Sequence, residues 1–270
     1  KETWDQWYTG RFDLHPMKGL SVKGDYSWNR YSTVQKFHRK EMTQTFPEGR
    51  DPYLVETPNY VRNYNSNNIY QAINVWAEYK KSFNDVHNLS LMAGYNQEEK
   101  TYASTSYTMT DLYDNEMPIS DLAINYKENE EGSDIWRVQG AFFRLNYDYR
   151  SKYLLEVNGR YDGSSKYAKH DRWAFFPSAS VGWRISEEKF FKSLSKVVDN
   201  LKIRASIGAL GNQITDGNHS FMSIISGKVL TNYMMDGKIV NGLNIPTLPS
   251  MVTWEKVITK DIGLDWSLFK

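Results

Sequence analysis

Residues 143–161 read FRLNYDYRSKYLLEVNGRY. Phe143, Leu145, Tyr147 and Tyr149 alternate with Arg144, Asn146 and Asp148, and beyond Arg150, Ser151 and Lys152 the alternation resumes as Tyr153, Leu155, Val157, Gly159 and Tyr161. Successive side chains of a strand point to opposite faces, so the stretch reads as a hairpin with one apolar and one polar face. Each arm has about the 9 to 11 residues that a tilted strand needs to cross a bilayer.

The same period recurs along the chain. Tyr8 to Leu14 and Leu20 to Trp28 form one pair, Ile73 to Tyr79 and Leu89 to Tyr95 another; Phe175 to Ile185, Leu201 to Ala209 and Ile262 to Leu268 each keep their apolar residues on one parity. In this register no charge is expected to face lipid. A slip of one residue turns Arg11 and Asp13, Lys23 and Asp25, Arg144 and Asp148, or Lys202 and Arg204 outward together, and a Lys or Arg at mid-membrane costs roughly 2 to 4 kcal/mol. The fold class expected is all-β, an antiparallel transmembrane β-barrel segment of about nine strands, with the lipid bilayer as its solvent. An odd strand count departs from single-chain bacterial barrels, and a piece of a larger wall accounts for it.

Composition agrees. Lys and Arg number 33 against 32 Asp and Glu, a net charge of +1, so no overall field favours nucleic acid as a partner. Aromatic residues make up 15%, with 19 Tyr and 9 Trp, as girdles at two membrane interfaces require. Mean hydropathy is −0.65 and no apolar run approaches the roughly 18 residues of a transmembrane helix. Absence of cysteine excludes disulfides, thiol catalysis and thiolate metal sites. The Asn88-Leu-Ser and Asn218-His-Ser triplets match a glycosylation pattern that a bacterial barrel does not use, and no secretory leader is visible at Lys1.

Tight connections are expected at Pro16 to Gly19, Ser82 to Val86 and Arg150 to Lys152, on the periplasmic side. Long polar loops are expected at Lys40 to Asn68, Lys100 to Asp134 and Gly211 to Thr253, with a shorter one at Gly163 to Arg172, all outside the cell. Ser186, Glu187 and Glu188 begin like a capped helical turn, and Phe190, Phe191, Leu194, Val197 and Val198 recur at helical spacing, so a short amphipathic periplasmic helix is expected there. Pro177 cannot donate to a ladder, which predicts a bulge or kink beside it.

From about residue 140 onward the chain resembles the SusC/RagA family of TonB-linked outer-membrane transporters. The resemblance rests on ordered motifs: Gly159-Arg160-Tyr161-Asp162-Gly163-Ser164-Ser165-Lys166, Arg172-Trp173 with Phe176-Pro177-Ser178, and Gly182-Trp183-Arg184-Ile185-Ser186-Glu187-Glu188 before Phe190-Phe191. Leu201 to Ser206 with Gly208, Gly211-Asn212-Gln213, Thr253-Trp254-Glu255-Lys256 and Gly263-Leu264-Asp265 complete it. The first half resembles the family mainly through its hairpins and Ala93-Gly94-Tyr95. Ile207 stands where an aromatic is common, and Lys260-Asp261 where an aromatic-Asn pair is usual. The resemblance implies a barrel of about 22 strands with an N-terminal plug, a SusD-like surface lipoprotein as lid, and energy supplied through the TonB complex. Residues 1–270 then form a middle portion of the barrel domain, with plug, TonB-contacting parts and terminal strands absent from this chain. The function implied is import of an oligosaccharide or peptide nutrient. The rival readings are a passive porin or siderophore-type receptor, separable by a co-purifying lipoprotein, and a soluble β-rich glycan-binding domain, separable by solubility without detergent.

No chemistry-bearing constellation is visible. His15, His38, His87, His170 and His219 are scattered without ligand spacing, and Asp111, Asp114, Glu116 and Asp121 lack the alternation and central glycine of a calcium loop, so neither a metal nor another cofactor is expected. Ser164, Ser165, His170 and Asp171 share one loop, whereas a triad draws on separate elements, so the chain does not read as an enzyme. Ligand recognition falls to aromatic and polar groups on loops and on the polar parity, with Tyr113, Tyr126, Trp136, Arg137 and Trp173 as candidates.

Overall fold

A computed structural model describes residues 1–47, 49–193, 197–213, 217–219, 229–243 and 252–268. Thirteen strands form among the described residues: β1 (Glu2–Met17), β2 (Leu20–Arg39), β3 (Met42–Gln44), β4 (Tyr53–Glu56), β5 (Tyr60–Phe83), β6 (His87–Leu112), β7 (Ala123–Tyr149), β8 (Tyr153–Ser164), β9 (Trp173–Arg184), β10 (Val198–Asn212), β11 (Val229–Met235), β12 (Lys238–Leu243) and β13 (Glu255–Leu268). Nine of them make one sheet in the order β1-β2-β5-β6-β7-β8-β9-β10-β13, and β3–β4 and β11–β12 are separate hairpins. Eight of the nine alternating stretches fall inside these nine strands and the other, Phe175 to Ile185, overruns β9 by its last residue; no helix of the described residues is long and apolar enough to cross a membrane.

The chain packs as two compact units. One comprises Lys1–Gly10, Asp25–Ile73 and Glu98–Ile135, the other Arg11–Gly24, Asn74–Gln97 and Trp136–Lys270. In the second, β8 pairs with β7 from Val138↔Ser164 to Tyr149↔Tyr153 without a shift, so the apolar parities of the opening hairpin share a face. Phe143, Leu155, Val181 and Ile203 on that parity remain exposed to surroundings the protein does not supply, as a lipid-facing wall requires. On it Gly159 lies between two rings: a β-carbon there would meet Phe143 Cε1 at 2.4 Å and Phe175 Cζ at 2.9 Å. The aromatics cover the glycine where neighbouring side chains leave a gap.

Four expectations are corrected. The segments 40–68 and 100–134 are not wholly loops. β5, β6 and β7 run through much of them and reach 24, 26 and 27 residues, against 12 each for β8 and β9. Their distal halves are polar on both parities, so no apolar alternation marked them, and their Tyr, Thr and Ser content sustains the strands.

Pro177 causes no bulge in β8–β9, whose register runs unbroken through Gly159↔Pro177. The β9–β10 ladder instead ends at Ser178↔Gly208, one residue short of the proline. The missing N–H is accommodated where pairing stops. Further, β13 begins at Glu255, which puts Lys256 and Lys260 on the parity of Ile258 and Ile262, with Lys260 opposite Ile207. The long lysine stem can lie along apolar surface while its ammonium reaches water.

The expected helical segment is present as two 3-10 turns, Ile185–Glu187 and Lys189–Ser193, rather than one α-helix. Glu188 between them is extended, at φ −78 and ψ 147. Its carboxylate accepts from Lys152 Nζ (2.9 Å), Tyr153 OH (2.7 Å) and Trp183 Nε1 (3.3 Å), pulling the chain back onto the β7–β8 turn. Val198 already belongs to β10, and Leu194 lies outside the described residues. The Tyr153 hydroxyl, the Lys152 ammonium and the Trp183 indole hold the Glu188 carboxyl below its ordinary pKa. A lowered carboxylate contributes stability that is full above its ordinary value, about 4.3, and is lost as pH falls through the depressed one. Exchange protection of the Trp183 indole N–H is therefore expected to hold from neutral pH down past that ordinary value and to fall only below it. Glu188→Gln should remove this acid step, and an unchanged pH profile in the variant would refute the tether.

The β7–β8 turn places Arg150 and Ser151 at φ 53 and 55, the conformation in which Asn-Gly is the favoured pair. Ser151 N–H donates to Asp148 Oδ1 at 2.7 Å and Arg150 N–H to Val86 O at 2.7 Å, which hold the strained pair. Ser151→Gly is expected to stabilise the hairpin by about 0.5 to 1 kcal/mol, read as a raised denaturation midpoint.

Candidate functional site

The polar parity of the sheet carries cross-linked, oriented groups. In the second unit Arg144 Nε donates to Asn158 Oδ1 at 2.7 Å, Arg160 holds Asp162 through Nη2 (2.9 Å) and Nε (3.1 Å), and Lys202 and Arg204 share Asp265 at 3.7 and 3.3 Å. Glu156, Ser180, Lys202, Arg204 and Asp261 from this parity help to line a recess of about 660 Å³. Ion pairs on a solvated wall each contribute about 1 kcal/mol or less to the fold.

In the first unit the polar parity of β5, β6 and β7 carries a row that loop-like polarity concealed. Arg62 pairs with Glu130 at 2.7 Å and donates through Nε to Ser106 Oγ at 2.8 Å; Tyr64 and Tyr102 share a hydroxyl hydrogen bond of 3.0 Å; Tyr70 OH donates to Glu98 Oε2 at 3.0 Å. The readable signal was a period of two in hydroxyl residues, Tyr102, Ser104, Ser106, Thr108 and Thr110.

The five candidate residues fall in different settings. Tyr113 is 87% exposed on the β6–β7 connection, its N–H donating to Leu122 O at 2.9 Å. Tyr126 is exposed on the polar parity of β7. Trp136 lies on that same parity with its Nε1 buried and without an acceptor, and Lys166 Nζ stands 5.8 Å from its ring centre. Arg137 points to the opposite parity, its backbone pairing with Ser165 through N–H to Oγ at 2.9 Å and O to N–H at 2.8 Å. Trp173 is also on the apolar parity, stacked on Tyr161 at 5.0 Å and 14°, an arrangement suited to an interfacial girdle.

Several distant motifs meet in one place. Tyr167, Ala174, Phe176 and Trp254 form a buried cluster with Val252 against it. Trp254 Nε1 donates to Arg172 O at 2.8 Å, Ser164 Oγ to Gln213 Oε1 at 2.9 Å and Asn212 Nδ2 to Glu255 Oε2 at 3.1 Å. Burial first, and the Glu255 charge second, raise the Tyr167 phenol above its ordinary pKa. These motifs therefore build a clamp on the β8–β9 loop and the ends of β10 and β13.

Among the described residues no group of three His, Asp or Glu converges on a metal position. Asp111 Oδ2 accepts from Thr110 Oγ1 and Asn125 Nδ2, both at 2.9 Å, Asp114 Oδ1 accepts from the Glu116 N–H at 2.8 Å, and Glu116 pairs with Lys40.

A long antiparallel sheet with a girdled apolar face and a fixed polar face is the wall of an outer-membrane β-barrel. The chain belongs to the TonB dependent receptor-like β-barrel family, whose description matches residues 2–269. It is 31% identical over 195 residues to a TonB-dependent receptor of Formosa agariphila, covering 71% of this chain and 18% of that protein. It is 32% identical over 126 residues to the TonB-dependent receptor SusC of Bacteroides thetaiotaomicron, 46% of this chain and 12% of that one. Among solved structures it matches the RagAB peptide transporter with a TM-score of 0.79 at 21% identity, covering 99% of this chain and 28% of the other. The chain thus spans about a fifth or less of these curated relatives, and its fold is that of an outer-membrane barrel wall.

Proposed function

We propose that this chain supplies a middle stretch of barrel wall, with extracellular strand extensions and loops, to a TonB-dependent importer of oligosaccharide or peptide. The polypeptide it belongs to would carry a plug and further strands and work with a SusD-like surface lipoprotein and the TonB complex. The observation that carries this reading is the two-faced sheet matched along residues 2–269, with a lattice of oriented polar groups on one face and lipid-compatible residues on the other. No catalytic step is assigned to it.

Of the candidate residues, Tyr126 and Trp136 have the parity of a cargo-facing wall, and the unsatisfied Trp136 N–H offers a donor beside a stacking surface. Tyr113 is retained as a loop contact, while Arg137 and Trp173 are assigned to the outer face. In the full-length protein, Trp136→Ala is expected to weaken cargo binding by about tenfold, with Trp136→Phe between it and wild type. Uptake measured with and without a proton gradient tests the class: uptake that persists without the gradient makes the protein a porin. A natural polypeptide found to end at these 270 residues would overturn the importer reading altogether.

A further inference from the structure

We propose that the outer face of the first unit holds a binding site for the phosphorylated headgroup of an outer-leaflet glycolipid, with Arg30 as its anion-binding group. The inference rests on the outer-membrane placement of the fold and not on the cargo or on active import.

The face is fixed by side-chain contacts. The Tyr8 and Trp28 rings meet tilted at 38° with their centres 5.7 Å apart, and Tyr26 OH donates to Gln71 Oε1 at 2.8 Å. Four residues further on, Arg30 donates to Asn67 Oδ1 through Nε (3.3 Å) and Nη2 (3.0 Å), four residues back from Gln71, as one face of an antiparallel pair requires. Arg30 therefore shares the face of the Tyr8, Tyr26 and Trp28 rings. The opposite face is marked by the Thr9 to Ser27 hydroxyl bond at 3.1 Å.

Depth follows from strand geometry. Arg30 is the next position on this face after Trp28, about 7 Å along the strand. Interfacial rings sit at headgroup level, and the headgroup layer adds about 5 to 8 Å to each side of the hydrocarbon core. A guanidinium one step beyond the ring girdle lies among headgroups.

The surroundings suit a phosphate. Trp4, Gln6, Arg30, Ser32, Asn65 and Asn67 help to line a recess of about 520 Å³, and no carboxylate lines it. Ser32 Oγ also donates to Asn67 Oδ1, at 2.8 Å, so one amide oxygen orients both groups. Among the described residues no acidic side chain pairs with Arg30, whose Nε and Nη2 donate to the neutral Asn67 amide, an acceptor that does not compensate the charge. A planar, oriented guanidinium beside amides and a tryptophan matches a sugar phosphate: a fork for the anion, amides for hydroxyls and a ring for the sugar face.

The test uses the full-length protein in neutral detergent, with purified lipopolysaccharide, its enzymatically dephosphorylated form, and inorganic phosphate as probes. Wild type should bind the phosphorylated glycolipid at least fivefold more tightly than the dephosphorylated one. Arg30→Gln should erase that difference, Arg30→Lys should retain part of it, and Arg62→Gln, on the other face, should leave it intact. Folding of each variant is checked by heat-modifiable gel migration. Equal preference in wild type and folded Arg30→Gln overturns the proposal. So does complete displacement by millimolar inorganic phosphate, which would mark a free-anion site, or a change in oligomeric mass without a change in glycolipid binding, which would mark a contact between copies.

Discussion

Val157→Arg is expected to abolish assembly of the full-length barrel, whereas Asn158→Asp, one residue away, leaves assembly close to wild type. Val157 lies midway between Tyr153 and Tyr161 on the apolar parity, opposite Leu145 on β7 and Ala179 on β9. An arginine there has no polar neighbour on its face and costs roughly 2 to 4 kcal/mol at the bilayer midplane. That is a large fraction of the 5 to 15 kcal/mol that separates folded from unfolded domains. Asn158 faces the polar side, where its Oδ1 accepts from Arg144 Nε at 2.7 Å and its Nδ2 donates to Glu156 at 2.8 Å. A carboxylate at 158 gains the guanidinium and is repelled by Glu156, two solvated effects of about 1 kcal/mol or less that oppose each other. Outer-membrane yield and heat-modifiable migration read the difference, and equal yields from the two variants would discard the register.

Trp254→Ala is the second large effect, and it is local. The indole is 7% exposed and packs on Tyr167 at 5.3 Å and edge-on to Phe176 at 5.3 Å, while its N–H satisfies the Arg172 carbonyl. Truncating a buried aromatic costs about 3 to 5 kcal/mol, and here the loss also leaves a carbonyl unpaired. Amides of residues 165–172 should lose hydrogen-exchange protection, since the clamp on that loop is centred on this ring. Trp254→Phe keeps the packing and loses the bond, so it should fall between. The hairpin at residues 143–161 should exchange as in wild type, because its register does not involve the clamp. Unchanged protection of 165–172 in Trp254→Ala would show that the cluster does not hold the loop.

The wall was legible because its constraint is local. A strand in lipid must declare its outward face at every second residue, and Phe143 to Tyr161 does so without reference to any distant part of the chain. The extensions of β5, β6 and β7 were not legible by the same rule. Beyond the membrane both faces meet water, apolar alternation is no longer required, and a polar strand reads like a polar loop. For the candidate residues, aromatic and polar type singled out Tyr126 and Trp136 together with Arg137 and Trp173, and only β7 and β9 laid in register separate the first two, on the polar parity, from the last two, on the apolar one.

The sequence by itself determined that this chain is a two-faced antiparallel wall, which face meets lipid and where the tight turns fall, because period, turn chemistry and the cost of a buried charge act within a few residues. Only the tertiary structure decided that Pro177 ends a ladder instead of kinking a strand, that Glu188 breaks a helix to bind Lys152, and that Ser164, Gln213, Trp254 and Arg172 meet in one clamp. Those outcomes depend on groups up to 82 residues apart in the chain, and spacing along the chain carries no information about which distant partner a polar group will find.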